Sequence, residues 1–253
     1  MSVCLFLIYA VVLLSDFSIS KIILLIATSL SAMGADLLFA KIRKKNLFVP
    51  SAAATSSFII VLLTDPSLPI YIPISAAVLA MFSKNFIRRG RHIFNPAAFG
   101  LVLTSVIFLT PVAWWGPGSL FGLSAKFLPL FLILLSPILV SGIRMKRYFT
   151  ILFFLVSYTA SNLIFLIVTK NTIDASIILR LIWDPTIIFF AIVMAPEPMT
   201  TPYSRKNQIL FGVFIGLLAI TSSRLLSLVP VIGALDSLIL SLLVGNLLFF
   251  KQR

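Results

Sequence analysis

Residues 50–66 read PSAAATSSFIIVLLTDP, and residues 184–198 read DPTIIFFAIVMAPEP. Their apolar parts, 51–64 and 185–195, are shorter than the ~20 residues that a membrane-spanning helix needs. We expect Asp184 to cap the second helix. Three proline pairs keep a nearly constant offset of 132 to 135 residues: Pro50 and Pro185, Pro66 and Pro198, Pro69 and Pro202. Paired short helices of this kind predict an inverted repeat with a ligand site at the broken helices. Chance alignment of the prolines is the alternative.

The whole chain is strongly apolar. Of its 253 residues, 60% are apolar and 11% are charged, and the mean hydropathy is +1.14. Soluble domains are ~45–50% apolar and ~25% charged. The composition therefore excludes a soluble enzyme, a disordered protein and a disulfide-built secreted domain, and it predicts an integral membrane protein.

Ten apolar segments follow one another with short connections. They are residues 3–15, 22–40, 51–64, 69–83, 95–113, 127–143, 148–169, 185–195, 207–223 and 229–250. We expect an all-α polytopic membrane protein with about ten transmembrane helices, forming a single membrane domain over residues 1–253. Since each half holds an odd number of segments, the halves, approximately 1–113 and 127–250, are expected to be inverted five-helix repeats joined by an outer loop, 114–126.

Basic residues predict the orientation. With a first pass that starts inside, fifteen of the twenty Lys and Arg residues fall in connections on one side and five on the other. Because cytoplasmic loops carry an excess of Lys and Arg, both termini are expected in the cytoplasm, with the protein in the cytoplasmic (inner) membrane of the cell. Trp114 and Trp115 then fall at the outer interface.

The net charge of +13 is distributed in clusters between apolar runs, which is typical of membrane loops and argues against nucleic-acid binding. Cys4 is the only cysteine, so the chain has no multi-cysteine metal or iron–sulfur site. His92, the only histidine, has no acidic or cysteine partners nearby in the sequence. We predict no metal site, so any redox chemistry needs an organic cofactor or a partner protein.

The densest polar stretch is SKNFIRRGRHIFNPAAFG, residues 83–100. Asn95 before Pro96 predicts an N-cap with proline at the first helical position. The small residues Ala97 and Ala98 allow a ligand to approach the helix backbone closely. Helix amides near several arginines suit an anionic or carbonyl-rich ligand. The alternative is a cytoplasmic loop followed by a well-capped helix.

The second short helix is followed by APEPMTTPYSRK. This stretch contains Glu197, the only glutamate, together with Pro198, Thr200 and Thr201. Ionisable groups at membrane depth usually face a cavity or a partner. The alternative is a cytoplasmic turn in which Glu197 pairs with a basic residue at 205–206.

Two aspartates lie inside apolar segments. Asp36 is within reach of Lys41 or Arg43 along its own helix and the loop that follows. Asp236 lies about two turns into the last predicted segment, where Arg224 is its expected partner. Carboxylates at such positions suggest proton or cation handling.

Three segments resemble one membrane protein family: PSAAATSSFIIVLL (50–63), GRHIFNPAAFG (90–100) and DPTIIFFAIVMAPEPMTTPYSRKNQILFG (184–212). This is the NqrB/RnfD family, the membrane subunits of sodium-pumping NADH:quinone reductase and of the Rnf electron transport complex. The resemblance extends over roughly 45–250. It implies ten helices in two inverted halves, with a fold similar to urea and ammonium transporters. It also implies a flavin-carrying subunit that passes electrons across the membrane, coupled to Na⁺ or H⁺ translocation, alongside other subunits of a complex.

One loop departs from that family. Its flavin subunits hold FMN through a phosphoester to the threonine of an S-G-A-T motif in the outer loop. In this chain LSAK (123–126) stands at the corresponding place, and no threonine occurs between Thr110 and Thr150. The comparison therefore argues against covalent FMN. A flavin, FMN or riboflavin, held noncovalently, or electron transfer to quinone remains open.

Three functions remain open at this point. The chain is an electron-transfer subunit of an ion-translocating oxidoreductase, a small-solute channel or transporter on the same inverted-repeat fold, or a subunit without a ligand. For a flavin, one wall of the expected site is Asn95, Pro96, Ala97 and Ala98, and the opposite wall is Glu197, Pro198, Thr200 and Thr201.

Overall fold

The computed structural model describes residues 1–46, 48–122, 128–169, 181–228 and 234–252, which are almost entirely helical. The helices are α1 (Ser2–Ser15), α2 (Ile19–Ile42), α3 (Ser51–Leu63), α4 (Tyr71–Phe86), α5 (Pro96–Phe108), α6 (Trp115–Gly122), α7 (Leu128–Arg144), α8 (Tyr148–Thr169), α9 (Pro185–Phe189), α10 (Arg205–Ser227) and α11 (Ser237–Leu248). Each of the ten predicted apolar segments overlaps one of these helices, which confirms the all-helical fold class.

Smaller elements complete the described chain. Helix α6 occupies part of the predicted outer loop, whose residues 123–126 lie outside the described residues. Strands β1 (Arg88–Arg89) and β2 (Arg91–His92) pair antiparallel in a short ribbon. The ribbon turns at Gly90 with φ of 75°, a conformation that glycine adopts without steric cost. A π-helical turn, Phe190–Met194, continues α9.

Among the described residues, three helices, α2, α8 and α10, are long and apolar enough to cross a membrane. Large apolar side chains on them face outward, since Leu30, Val156 and Leu210 are 62%, 54% and 47% exposed. Extensive exposed apolar surface of this kind is compatible with contact with a lipid bilayer. The described chain therefore has the character of a helical membrane protein.

Close helix packing depends on glycine at several crossings, of which two have the helix backbones closest together. Helix α4 packs against α2 and α5, and α10 packs against α8 and α11. A Cβ on Gly100 of α5 would lie 2.1 Å from the Ala76 carbonyl oxygen of α4. A Cβ on Gly212 of α10 would lie 2.8 Å from the Thr150 carbonyl oxygen of α8. Small residues at both crossings let the helix backbones approach each other closely.

The two short helices predicted from the proline pairs lie in the core. Helix α3 contacts α1, α2, α4, α5 and α6, and its residues 60–63 have no exposed surface. In α9 and its π-helical turn, Phe189 and Phe190 are likewise fully buried. Asp184 accepts a hydrogen bond from the Thr186 amide at 2.8 Å, so its predicted capping role is confirmed.

Connections that the charge pattern assigns to the inner side contact one another. The Arg43 guanidinium, which follows α2, donates to the Asn85 carbonyl oxygen at 2.6 Å. The Arg147 guanidinium, between α7 and α8, donates to the Pro202 carbonyl oxygen in the connection before α10. Contacts between residues far apart in sequence thus gather these connections at one end of the helices.

Connections assigned to the outer side meet at the other end. The Trp114 amide donates to the Leu63 carbonyl oxygen at 3.3 Å, at the end of α3. The Lys21 ammonium lies 5.1 Å from the centre of the Trp115 ring. Trp114 is only 7% exposed, which differs from the interface position expected for it.

The predicted position of Asp236 inside the last helix is wrong. Its Oδ1 accepts a hydrogen bond from the Ile239 amide at 2.9 Å, so Asp236 is the N-cap and α11 begins at Ser237. Its Oδ2 accepts a hydrogen bond from Trp114 Nε1 at 2.7 Å. The predicted partner, Arg224, instead stacks on the ring of Phe165. The Asp236 carboxylate accepts hydrogen bonds from the N-terminus of a helix and from a buried indole, so it does not need a cation as its partner.

Candidate functional site

Asn95 begins α5 and also joins it to the second short helix. Its Oδ1 accepts a hydrogen bond from the Ala98 amide at 3.1 Å, and Pro96 occupies the first helical position, which confirms the predicted N-cap. Its Nδ2 donates to the Met194 carbonyl oxygen at 3.4 Å. One buried side chain therefore connects two motifs that lie 99 residues apart.

Two buried threonines hold the turn that follows α9. Thr200 Oγ1 donates to Glu197 Oε2 at 2.9 Å. Thr201 Oγ1 lies within hydrogen-bond distance of two carbonyl oxygens, those of Ala195 at 2.9 Å and Glu197 at 2.8 Å. Because both threonines are fully buried, they fix the turn from within and orient the carboxylate of Glu197.

Arg147, in the connection between α7 and α8, contacts the same turn. The residue is buried, with 2% of its surface exposed, and it donates to the carbonyl oxygens of Pro198, at 3.3 Å, and Pro202. Its guanidinium lies 4.3 Å from the centre of the Tyr203 ring, and that of Arg91 lies 4.6 Å from the same centre. Two cations on one aromatic ring, with carbonyl oxygens as further partners, tie the ribbon and the α7–α8 connection to this turn.

A cavity of about 210 Å³ lies where these elements meet. It is lined by the start of α3, the end of α4, the ribbon, the start of α5 and the turn after α9. Apolar side chains such as Ile59 and Val193 form part of the wall, and Thr55, Asn95 and Glu197 supply polar groups. An apolar pocket with a few converging polar groups is the usual form of a small-molecule site.

All eight site residues predicted from the sequence lie at or beside this cavity, but they have different roles. Four predicted residues line the cavity: Asn95, Pro96, Glu197 and Pro198. The other four are buried beside it and support the lining residues: Ala97, Ala98, Thr200 and Thr201. The threonines thus act through Glu197, because their hydroxyl groups are engaged within the turn.

Lys84 also lines the cavity, although no sequence motif marked it as a site residue. Its Nζ donates to Asp36 Oδ2 at 2.6 Å, and Asn85 Nδ2 donates to Asp36 Oδ1 at 2.9 Å. The predicted pairing of Asp36 with Lys41 or Arg43 is therefore wrong. Asp36 is fully buried between α2 and α4, and a partner from the neighbouring helix reaches it there. The sequence signal for Lys84 was its position at the start of the polar stretch.

His92 is held at the cavity by the end of α4. Its Nδ1 lies 3.1 Å from the Lys84 carbonyl oxygen. Burial, together with the nearby charges of Lys84 and Arg88, lowers the pKa of His92 to about 4. The imidazole is therefore neutral at pH 7 and contributes hydrogen bonding rather than charge. Within the described ranges, no three His, Cys, Asp or Glu side chains are grouped so that they could hold a metal ion.

A second cavity of about 80 Å³ adjoins the first. The two share Met1, Val193, Glu197 and Pro198 as lining residues, and the second also contacts Cys4 and the middle of α7. Pockets that enclose small-molecule ligands usually measure ~300–1,000 Å³. The lining chemistry suits a flavin, but the first cavity alone is too small to enclose one, so a bound flavin would extend beyond it.

Comparison of the chain with protein-family models and with curated proteins finds no match.

Proposed function

We propose that the chain spans the membrane ten times, as two inverted halves of five helices. The order of elements in α1–α5 and α7–α11 supports this, because among the described helices the third of each half is short, buried and flanked by prolines. The packing of α4 on α2 and α5 corresponds to that of α10 on α8 and α11. Equivalent helices also contact across the halves, α1 with α7 and α5 with α11. Such contacts are expected of a pseudo-twofold inverted repeat.

The end that contains the cavity is the cytoplasmic end in this proposal. The support is the charge distribution of the sequence, in which the connections predicted for the inner side carry fifteen basic residues and those predicted for the outer side carry five. Both termini then lie in the cytoplasm, and the protein resides in the cytoplasmic membrane. Met1 among the lining residues of the cavity agrees with a first helix that starts at this end.

As its function, we propose a membrane subunit of an electron transport complex of the Nqr and Rnf type, which binds flavin noncovalently and exchanges electrons with other subunits or with quinone. Coupling to Na⁺ or H⁺ translocation belongs to the same proposal. One observation carries it: the motifs that resemble this family meet around one cavity, through the hydrogen bond from Asn95 to the Met194 carbonyl oxygen.

The residues at the cavity have distinct roles in this proposal. A bound flavin, FMN or riboflavin, supplies the capacity to accept and release electrons. Asn95 and the start of α5 form one wall, and the Glu197 carboxylate, oriented by Thr200, accepts hydrogen bonds from the opposite side. Ile59 and Val193 supply the apolar surface against which a ring system packs.

A small-solute channel or transporter is the second candidate function. It is favoured by the cavity volume of about 210 Å³, which lies below the ~300–1,000 Å³ range of pockets that enclose larger ligands. Short helices buried at a site between inverted repeats are also the usual arrangement of secondary transporters.

An absorption spectrum of the detergent-purified protein, repeated on the supernatant after acid precipitation, tests the proposal. Noncovalent flavin predicts a flavin band that is released into the supernatant. A band retained in the pellet would indicate covalent attachment and contradict the noncovalent site. A folded preparation without any band would favour the transporter, and flux of small solutes into liposomes containing the protein would then be measured.

A further inference from the structure

We propose that Lys84 is a ligand-binding residue of the cavity, which donates to an electron-rich oxygen of the bound molecule, with Asp36 as its buried counter-ion. This inference rests on the proposed function, because the ligands used to test it are flavins. Neither residue is among the predicted site residues, although Lys84 belongs to the polar stretch 83–100, and the two lie on different helices.

The charge pair is built into the helix packing. The distance from Lys84 Nζ to Asp36 Oδ2 is 2.6 Å, and the side chains are 13% and 0% exposed. Asn85 Nδ2 occupies the other carboxylate oxygen at 2.9 Å. Both oxygens of Asp36 are thus engaged, as a buried carboxylate requires.

Lys84 has donors beyond those that Asp36 uses. An ammonium group carries three N–H donors, and among the described residues Asp36 is the only side-chain acceptor that Lys84 contacts. Since Lys84 lines the cavity, its remaining donors are available to a molecule there. The ammonium also lies 5.6 Å from the centre of the Phe48 ring, within the range of a cation–π contact.

The surroundings of Lys84 favour an electron-rich oxygen at this point. Helix α3 begins at the cavity without an acidic residue in its first turn, so the positive end of its dipole adds to the charge of Lys84. His92 also lines the cavity, is neutral at pH 7 and does not compete as a cation. Glu197 is a further lining residue. A phosphate oxygen and a ring carbonyl oxygen both fit this chemistry, and FMN contains both.

The decisive variant removes both charges, Asp36→Asn with Lys84→Met. Lys84→Met alone would leave a buried carboxylate without its cation, which is strongly destabilising. Lys84→Arg keeps a positive charge and N–H donors and is the rescue variant. Lys146→Met is the matched control, because Lys146 is an exposed cation at the same end of the protein and does not line the cavity.

The measurement is a titration of each detergent-purified variant with FMN and with riboflavin, followed by quenching of flavin fluorescence. We expect the double variant to bind about tenfold more weakly, while Lys84→Arg and Lys146→Met stay within about twofold of the original chain. Weaker binding of FMN alone identifies the phosphate as the partner of Lys84. Weaker binding of both flavins identifies the ring carbonyl.

Unchanged affinity of the double variant for both flavins, at an unchanged or lowered thermal midpoint, would overturn the role of Lys84 and leave the flavin function standing. A purely structural pair would lower only the midpoint. If the original chain binds neither FMN nor riboflavin, the proposed function fails and the assignment of Lys84 fails with it.

Discussion

The two turns that follow the short helices have similar sequences and different structures. The turn after α3 is closed locally, because Asp65 Oδ1 accepts hydrogen bonds from the amide and hydroxyl of Ser67 at 2.8 and 2.7 Å. The turn after α9 is held by Thr200 and Thr201 from within and by Arg147 from another connection. The first turn is half exposed, whereas most of the second is buried.

Under the proposed inverted repeat, this difference means that only one of two equivalent turns carries the candidate site. In an inverted repeat, equivalent turns lie at opposite ends of the protein. The turn after α9 faces the cavity, while the end of α3 accepts hydrogen bonds from Ala113 and Trp114 in the connection at the other end. The prolines and apolar runs recur in both halves, whereas the polar groups that build the cavity occur at one end.

The largest effect is expected at Arg147. Arg147→Met removes the donors to two carbonyl oxygens of the second turn and leaves them buried, which lowers the free energy of unfolding by about 3 kcal/mol. The thermal midpoint of the detergent-purified protein measures the loss. Arg144→Met is the control, because Arg144 is exposed at the end of α7. Equal midpoints for the two variants would show that Arg147 does not hold the turn.

A smaller effect is expected at Asn95. Asn95→Leu removes the cap of α5 and the contact with Met194, at a cost of about 1–2 kcal/mol, and it is expected to abolish flavin retention. Asp184→Ala is the matched control, since it removes the cap at the end of α9 that lies away from the cavity. Both variants lose stability, but only Asn95→Leu should lose flavin. Flavin released per mole of protein after acid precipitation measures this, and equal retention would contradict the site.

The pH dependence of stability should depend on His92. Because its pKa in the folded protein is about 4 and the unfolded value is near 6.5, the unfolded chain binds more protons between these values. Stability is therefore full above about pH 6.5 and falls as the pH drops towards 4. Solvent screening at this half-buried site reduces the effect to about 1 kcal/mol. Thermal midpoints measured from pH 7.5 to 4.5 should fall less steeply in His92→Gln, and parallel curves would contradict this origin.

The smallest effects come from the local bonds of the two turns. Asp65→Ala and Thr200→Val should each cost about 1 kcal/mol or less, since each removes hydrogen bonds within a turn. They differ in flavin affinity, which is expected to fall several-fold only in Thr200→Val, because Thr200 orients Glu197. Fluorescence titration with riboflavin distinguishes them. A similar loss of affinity in both variants would show that the turns contribute equally.

Much of the helix arrangement could be predicted from the sequence. Long apolar runs and Asn-Pro or Asp-Pro pairs are local signals, so the ten helical segments and the caps at Asn95 and Asp184 follow from neighbouring residues. The start of α11 could not be predicted in this way. Asp236 is surrounded by apolar residues, and its role as a cap depends partly on Trp114, which lies 122 residues away.

The candidate site was predictable only in part. Both walls carried sequence motifs, but the distinction between residues that line the cavity and those that support it depends on how α5 meets the turn after α9. In the sequence, nothing distinguishes Lys84 from the other basic residues of a predicted cytoplasmic loop. Its pairing with Asp36 arises from the packing of α4 on α2, which no local pattern contains.

The orientation of Glu197 depends on the number of residues in the π-helical turn, 190–194, that precedes it. The hydrogen bond from the Ala195 amide to the Phe190 carbonyl oxygen spans one residue more than an α-helical bond. Removal of one residue here would restore α-helical spacing and rotate the following turn by about 100° about the helix axis. Glu197 would then turn away from Asn95. An insertion or deletion in this segment would therefore change the direction in which Glu197 points, whereas the same change in a loop would alter only the length of the loop.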